Sequence, residues 1–310
     1  MIRRKAQKRE SPPLSSLEGV SLLSDEETAL DDLDPAELME QAAAALEAGA
    51  KDDAAKIFNA VGNIYMSVAE YEEALKCFKD SLDIYTELKD EPGISDALYN
   101  LGVAQINLEQ WDEAAKSCEK AMKLFEKTSN EDGAADAMYA LALAKHGLGD
   151  FDDALSYFKK AQKAYNSVNN QQGVASTIMD VGNAYADKED WESADKEFKK
   201  ALKIYRDIDD KAGIADALSL LGDIAEMNGN QKKSAEHFTE AAQNYMDAEI
   251  FDIAREVVER AEQKLWDIPK STRRRLRRVI DDIIDALPDE DEEPEGDDEE
   301  FDEDLLDFVE

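Results

Sequence analysis

The sequence predicts an all-α fold, a solenoid in which a helix pair of forty residues is repeated five times. Residues of four kinds recur at intervals of forty positions, and such long periods are typical of solenoid proteins. They are a small residue (Gly62, Gly102, Ala142, Gly182, Gly222), a second small residue (Ala74, Ala114, Ala154, Ala194, Ser234), a phenylalanine or cysteine (Phe78, Cys118, Phe158, Phe198, Phe238) and an aromatic residue (Tyr85, Phe125, Tyr165, Tyr205, Tyr245). The apolar residues between them have helical spacing, as at Leu98, Leu101 and Ile106. A composition with 35% charged residues and only 7 Pro fits long solvated helices.

The chain before the repeats divides into a disordered segment and one helix. Residues 1–33 combine a basic start, several serines and an acidic patch, a composition that favours disorder. Asp34 is placed to cap a helix that begins at Pro35 and ends near Ala48, since a short polar side chain can accept a hydrogen bond from the first turn. We expect residues 34–49 to form an N-terminal capping helix.

Each repeat, over residues 50–249, is predicted to contain two helices. First helices begin after the polar residues Asp90, Asn130, Asn170 and Asp210. Second helices begin after Glu70, Gln110, Asp150, Asp190 and Asn230, and Asp150 with Asp153 approximates a capping box. A glycine inside a helix costs about 1 kcal/mol relative to alanine, so its recurrence in the first helix indicates a close approach of the paired helix. We expect Ala114 to be the small residue that faces Gly102.

This pattern of small, alanine and aromatic residues resembles the tetratricopeptide repeat. The forty-residue period, with triplets such as Leu101-Gly102-Val103 and Val181-Gly182-Asn183, is similar to the longer, Leu-Gly-Asn-type subclass of that repeat. The resemblance covers about residues 52–250. It implies a right-handed superhelix of antiparallel helix pairs, in which the first helices line a concave groove that holds a segment of a partner protein.

The resemblance also implies which side chains line the groove. The candidate partner-binding residues are Asn63, Tyr99, Val103, Ile106, Tyr139, Leu143, His146, Met179 and Asn183. Their apolar members concentrate in the second and third repeats, and acidic residues increase toward the fifth, so a peptide or helix with apolar anchors and basic flanks would fit. The alternative is that the lengthened helices bury these side chains against neighbouring repeats. The basic clamp with which some tetratricopeptide co-chaperones hold acidic C-termini is not present, since Asp96 and Asp136 stand in this set.

Two more capping helices and an acidic tail are expected after the repeats, over residues 250–287 and 288–310. Residues 250–266 keep the apolar spacing of a first helix, but Glu262 replaces the glycine. Pro269 interrupts the chain, and Ser271 can cap a final helix that ends near Leu287. The last 22 residues contain fifteen acidic and no basic residues, which predicts a disordered acidic tail.

A possible second site combines the final helix with this tail. Its members are Arg273, Arg274, Arg275, Arg277, Arg278, Phe301, Leu305 and Phe308. Arginines at the start of a helix oppose the helix dipole, so we expect another group to compensate them. The acidic tail or the acidic repeat surface could do so, or an anionic partner such as RNA or a membrane surface, which the net charge disfavours. The spaced apolar residues of the tail are typical of a segment that folds onto a partner, or they are incidental in a solubilising tail.

The composition disfavours several other functions. A formal net charge of −37 argues against nucleic-acid binding. His146 and His237 have no partners at metal-ligand spacing, and there is no glycine-rich phosphate loop or nucleophile elbow, so we expect no metal, no cofactor and no catalysis. Cys77 and Cys118 indicate no disulfide framework. With no secretory signal and no long apolar run, the expected location is the cytosol.

The sequence therefore predicts a non-enzymatic, cytoplasmic scaffold for protein–protein interaction, which binds a peptide or helical segment of a partner in the groove. Two alternatives remain open at this stage. One is a regulatory or adaptor subunit that acts through the arginine-rich helix and the acidic tail. The other is an accessory subunit of an enzyme complex.

Overall fold

The computed structural model describes residues 34–288, which fall into two compact units, 34–208 and 209–288. Its helices in the first unit are α1 (Pro35–Glu47), α2 (Lys51–Ser67), α3 (Tyr71–Leu88), α4 (Glu91–Asn107), α5 (Trp111–Thr128), α6 (Glu131–Gly147), α7 (Phe151–Ser167), α8 (Gln171–Asp187) and α9 (Trp191–Asp207). The second unit contains α10 (Lys211–Met227), α11 (Gln231–Asp247), α12 (Phe251–Lys264), a short 3-10 segment (Leu265–Asp267) and α13 (Lys270–Ala286). No strand occurs between residues 34 and 288, so the predicted all-α class is confirmed.

Consecutive helices pair through very short turns. Inside the first unit α2 packs on α3, α4 on α5, α6 on α7 and α8 on α9, and inside the second unit α10 packs on α11. The turns contain one residue in the left-handed region, such as Glu109 at φ 57° or Gly149 at φ 80°. In one of them the N–H of Gln110 donates to the carbonyl of Gln105 at 2.8 Å, which closes the helix end as in a Schellman motif. The predicted solenoid of consecutive helix pairs is confirmed.

The helix starts agree with most of the predicted caps. The side chains of Asp34, Asn130, Asn170, Asp190, Asp210 and Asn230 each accept a hydrogen bond from a backbone N–H of the first turn. Asp90 precedes α4 without such a bond. The capping box at Asp150 is wrong, because this carboxylate makes no cap and lies 3.4 Å from Lys145 Nζ instead.

The prediction that Ser271 caps the last helix is also wrong. Helix α13 begins two residues earlier than a Ser271 cap would place it, at Lys270, with Pro269 at the N-cap position and no side-chain cap. The fixed φ of Pro269 favours a helix start directly after it. Leu276, Ile280 and Ile283 are buried, and they hold α13 against α11 and α12.

The glycine inside the first helix does approach its partner helix closely, but not at the residue expected. A Cβ added to Gly102 would lie 2.5 Å from Cys118 Sγ, so Cys118, and not Ala114, faces this glycine. Gly62 and Gly222 have the same relation to the rings of Phe78 and Phe238. The residue that faces the glycine lies one helical turn after the expected alanine. Its ring or sulfur occupies the space that a Cβ on the glycine would need. Cys118 is a buried core residue, as predicted.

A second set of glycines near the helix starts also makes room for aromatic rings. A Cβ on Gly133 would lie 2.7 Å from the Phe125 ring, and one on Gly173 would lie 2.7 Å from the Tyr165 ring. These glycines also recur at forty residues, so the signal was present in the sequence. Within the first unit, Phe125 and Tyr165 thus pack under the start of the following helix pair. The segments before residue 34 and after residue 288, for which we expected disorder, lie outside the described residues.

Candidate functional site

Side chains of the predicted groove connect first helices of neighbouring repeats within the first unit. Asn100 Nδ2 donates to Asn59 Oδ1 at 2.9 Å and joins α4 to α2. Tyr139 Oη donates to Asp180 Oδ2 at 2.6 Å and joins α6 to α8. His146 Nε2 lies 2.9 Å from Asp187 Oδ2, another contact between α6 and α8. The first helices therefore form one surface on which polar side chains contact each other across repeats.

The middle of this surface is filled and not open. Tyr139 is 7% exposed and Met179 is fully buried. The ring centroid of Tyr139 lies 6.0 Å from that of Phe158 and 6.4 Å from that of Tyr165. Tyr139 and Met179 were both candidates for contact with a partner, and at these two positions the structure shows the alternative, burial against neighbouring repeats. The reason is that Asp180 satisfies the tyrosine hydroxyl, which allows the ring to be buried.

Tyr99 is intermediate between buried and exposed. Its side chain is partly exposed, and its ring meets the edge of Phe125 at a centroid distance of 6.5 Å. Burial of the hydroxyl, together with the nearby Asp136 carboxylate, raises the pKa of Tyr99 well above its ordinary value. Tyr99 is thus partly a core residue and only in part available to a partner.

The C-terminal halves of the first helices contain the accessible part of the predicted site. Ile106 on α4, Leu143 and His146 on α6 and Asn183 on α8 are all partly exposed. Val103 is 9% exposed and Asn63 is 6% exposed, so both lie just below this surface. Asn63 Oδ1 is buried and accepts no hydrogen bond from the residues that the structure describes. We call Ile106, Leu143, His146 and Asn183 the open row.

Two carboxylates of the predicted inward set lie in partly dry surroundings. Burial raises the pKa of Asp96 to about 6, and Asp90 adds to the shift. Burial also raises the pKa of Asp136 to about 6, although the hydrogen bond that Tyr165 Oη donates at 2.7 Å opposes the shift. At Asp96 the equivalent aromatic residue is Phe125, which has no hydroxyl to donate. These side chains therefore carry less negative charge near pH 6 than their number suggests.

Sequence reasoning missed this pairing of a tyrosine with an acidic residue twenty-nine positions earlier. It recurs in the second unit, where Tyr245 Oη donates to Asp216 Oδ1 at 2.6 Å. The signal in the sequence was that Asp136 and Asp216 each stand twenty-nine residues before a tyrosine of the recurring aromatic set. Only the contact between the two helices of one pair shows that these side chains meet.

Acidic residues of the fifth repeat, toward which the predicted groove becomes more acidic, are neutralised inside the second unit. Asp223 on α10 is 9% exposed and forms an ion pair with Arg260 on α12. Glu226 forms an ion pair with Lys264, also on α12. The Arg260 guanidinium lies 4.0 Å from the ring centroid of Phe238, within the range of a cation–π contact. Helix α12 therefore supplies the cations for these carboxylates, which are not free to attract a basic partner.

The arginines of the possible second site are divided between paired and unpaired members. Arg275 donates to Glu236 at 2.8 Å, and Arg277 donates to Glu262 at 3.1 Å, so the acidic repeat surface compensates two of them. Arg274 and Arg278 are exposed and form no ion pair within residues 34–288. Phe301, Leu305 and Phe308, the remaining members, lie outside the described residues.

Other kinds of site have no basis in the described part of the chain. No group of three or more His, Cys, Asp or Glu side chains there could hold a metal ion. Burial raises the pKa of Cys77 to about 11 and that of Cys118 to about 12, so neither thiol is activated. Between residues 34 and 288 no helix combines the length and apolar character needed to cross a bilayer.

Solved structures with the same arrangement of helices are numerous. BtubC (BKLC) from P. vanneervenii is 19% identical over 72% of this chain and 93% of its own, with a TM-score of 0.60. A STAND protein with a tetratricopeptide repeat sensor from Pyrococcus horikoshii is 15% identical over 82% of this chain and 42% of its own, with a TM-score of 0.57. Aspartyl phosphate phosphatase F from Bacillus subtilis is 15% identical over 69% of this chain and 60% of its own, with a TM-score of 0.51. At these identities the likeness shows the fold alone.

Sequence comparison identifies the family. Comparison with curated protein sequences finds no significant match. Residues 54–88, 93–167 and 173–247 match the tetratricopeptide repeat, and these segments together make up more than half of the chain. This agrees with the recurring glycine, alanine and aromatic positions and with the consecutive helix pairs. The chain belongs to the tetratricopeptide repeat family.

Proposed function

We propose that this protein is a non-enzymatic scaffold that binds a peptide or helical segment of a partner protein on the first-helix surface of residues 34–208. The observation that carries the proposal is the open row, in which Ile106, Leu143, His146 and Asn183 are partly exposed on three successive first helices. Partly exposed apolar side chains in a row favour contact with another protein. Membership of a family whose repeats generally mediate protein interaction supports the same function.

The partner's chemistry follows from the side chains of this surface. Ile106 and Leu143 offer apolar contacts to an aliphatic or aromatic anchor. Asp187 is exposed next to His146, and acidic side chains favour basic flanks on the partner through charge complementarity. A segment with apolar anchors and basic flanks fits these features better than a small molecule or a nucleic acid.

The remaining expectations from the sequence belong to the same proposal. The helices before residue 50 and after residue 249 act as caps of a five-repeat binding domain, and the protein acts in the cytoplasm without a cofactor. Within residues 34–288 there is no cluster of catalytic or metal-binding side chains that would favour an enzyme.

A peptide-display selection tests this function directly. The full chain is used to select binding peptides, and their affinity is measured by isothermal titration calorimetry. We expect peptides with apolar anchors and basic residues, and we expect the single variants Ile106→Glu and Leu143→Glu to weaken binding at least tenfold, which corresponds to about 1.4 kcal/mol. The matched control is Val68→Glu, since Val68 is a 60% exposed apolar residue in the same unit but outside the row.

The outcome that contradicts the proposal is equal binding by the parent and both row variants, with circular dichroism showing that all variants are folded. Substitution of Tyr139 is not suitable for this test, because its buried hydrogen bond to Asp180 makes loss of folding the main effect.

A second candidate function is supported by the unpaired arginines of α13. In that case the protein is a regulatory or adaptor subunit, and Arg274 and Arg278 bind the partner while the repeats provide rigidity. Selected partners would then be lost with Arg274→Gln and Arg278→Gln and retained with Ile106→Glu and Leu143→Glu. Copurification of a catalytic partner would assign the protein as the accessory subunit of an enzyme complex.

A further inference from the structure

The second unit exposes a basic face on its last helix. Arg274 and Arg278 are four residues apart, so they lie on one side of α13. Both are exposed, and neither finds a carboxylate within the described residues, although Asp281 and Asp282 follow one turn later on the same helix. Arg275 and Arg277, by contrast, are paired with Glu236 and Glu262 on neighbouring helices. The two unpaired arginines are therefore available to an additional anionic group.

A large apolar side chain is exposed next to this helix. Trp266 is 73% exposed, and the 3-10 segment to which it belongs contacts α13. Ile284 on α13 is 42% exposed. Trp266 is the most exposed of the large apolar side chains in the described part of the chain. Exposed apolar and basic side chains in one unit favour an occupant that is itself both acidic and apolar.

The C-terminal segment of the same chain has this composition. Residues 289–310 contain fifteen acidic and no basic residues. Phe301, Leu305 and Phe308 stand among them at the spacing of one helix face. The segment thus offers carboxylates to Arg274 and Arg278 and apolar side chains to Trp266.

The chain also leaves the folded unit at a point from which the segment can reach this face. Arg255 Nη2 on α12 donates to the carbonyl of Pro288 at 2.9 Å, which fixes where the segment begins. Twelve residues lie between Pro288 and Phe301, so the thirteen Cα-to-Cα steps can span about 43 Å when extended. Helix α13 is only about 25 Å long. A short connection also gives a high effective concentration, which favours the chain's own segment over a separate molecule.

We propose that residues 289–310 dock in cis on α13, with carboxylates at Arg274 and Arg278 and apolar side chains against Trp266. This contact neutralises the arginines and covers the exposed indole. It goes beyond the proposed function, because it assigns an intramolecular ligand to a surface outside the open row.

A spin label on the segment tests the contact. Glu300→Cys provides one reactive thiol, since the native Cys77 and Cys118 are both buried. The nitroxide-labelled full chain is observed by nitrogen-15 NMR, with the indole N–H signals of Trp266, Trp111 and Trp191 as reporters. We expect selective broadening of the Trp266 signal. We also expect the broadening to weaken when the ionic strength rises from about 0.1 M to about 1 M, because the Debye length falls from about 10 Å to about 3 Å.

Matched variants decide whether the arginines hold the segment. Arg274→Gln with Arg278→Gln should abolish the broadening, and so should neutralisation of the segment by Asp302→Asn, Glu303→Gln and Asp304→Asn. The control is Lys232→Gln with Lys233→Gln, which removes two exposed cations from α11 in the same unit and should leave the broadening unchanged.

Three results would overturn the proposal. The first is the absence of broadening at Trp266 in the labelled parent chain. The second is broadening that persists in the arginine variant as it does in the lysine control. The third is broadening of nitrogen-15 labelled chains by spin-labelled chains without the isotope, which would assign the contact to a second copy.

Discussion

Replacement of Asp96 by asparagine is expected to stabilise the protein near neutral pH. Burial raises the pKa of Asp96 to about 6 from its ordinary value of 3.8, and Phe125 offers it no hydroxyl. The folded state therefore binds a proton more tightly than the unfolded state does. Stability from this group is fully present below the unfolded pKa and is lost as the pH rises through about 6.

The magnitude follows from the size of the shift. About two pKa units at 1.36 kcal/mol each correspond to roughly 2–3 kcal/mol of destabilisation by the charged carboxylate at pH 7 and above. The side chain is partly exposed, so this figure is an upper bound. Asp96→Asn keeps the shape and removes the charge, and it should recover up to this amount at pH 7 and much less at pH 4, close to the unfolded pKa.

The difference in unfolding free energy between the parent and Asp96→Asn is measured by urea unfolding, monitored by circular dichroism at several pH values and constant ionic strength. Glu126→Gln serves as the control, because it removes one exposed negative charge from the neighbouring helix and reports the general effect of the net charge. The reasoning is refuted if Asp96→Asn and Glu126→Gln have the same unfolding midpoint at pH 7. It is also refuted if Asp96→Asn stabilises the protein by the same amount at pH 4 as at pH 7.

Two further substitutions test the packing on which the site depends. Phe125→Tyr should bring a hydroxyl to Asp96 and lower the pKa of that carboxyl relative to the parent chain, which carbon-13 NMR of the side chain would follow; a pKa equal to that of the parent contradicts the tyrosine–carboxylate pairing. Gly102→Leu should destabilise the protein by about 1–3 kcal/mol, because the added side chain collides with Cys118 Sγ, and a melting temperature equal to that of the parent would show that this contact is assigned wrongly.

Much of the fold could be predicted because its causes are local and periodic. Caps such as Asn130 and Asn170 act within four residues, so the sequence alone places the helix starts. The failures at Asp150 and Ser271 are also local. In one case Lys145 lies near the carboxylate, and in the other the preceding proline starts the helix earlier.

Less of the candidate site could be predicted, because its exposure depends on contacts between repeats. The period assigns a residue to a first helix, but the exposure of its side chain depends on a residue about forty positions away. Tyr139 is buried and hydrogen-bonded to Asp180, whereas Leu143, one turn later, remains partly exposed. No feature of the sequence around Tyr139 alone distinguishes these two outcomes.

The sequence by itself determined the repeat, the helix pairs and the close helix approach at the recurring glycines, since these features recur with a period of forty residues. Tertiary structure alone decided which inward side chains are buried, which carboxylates keep a proton near pH 6, and which arginines remain unpaired. These properties depend on the distance between groups that are far apart in the chain, as at Tyr165 and Asp136. Burial and charge compensation act through space, so the order of the residues does not specify them until the helices have packed.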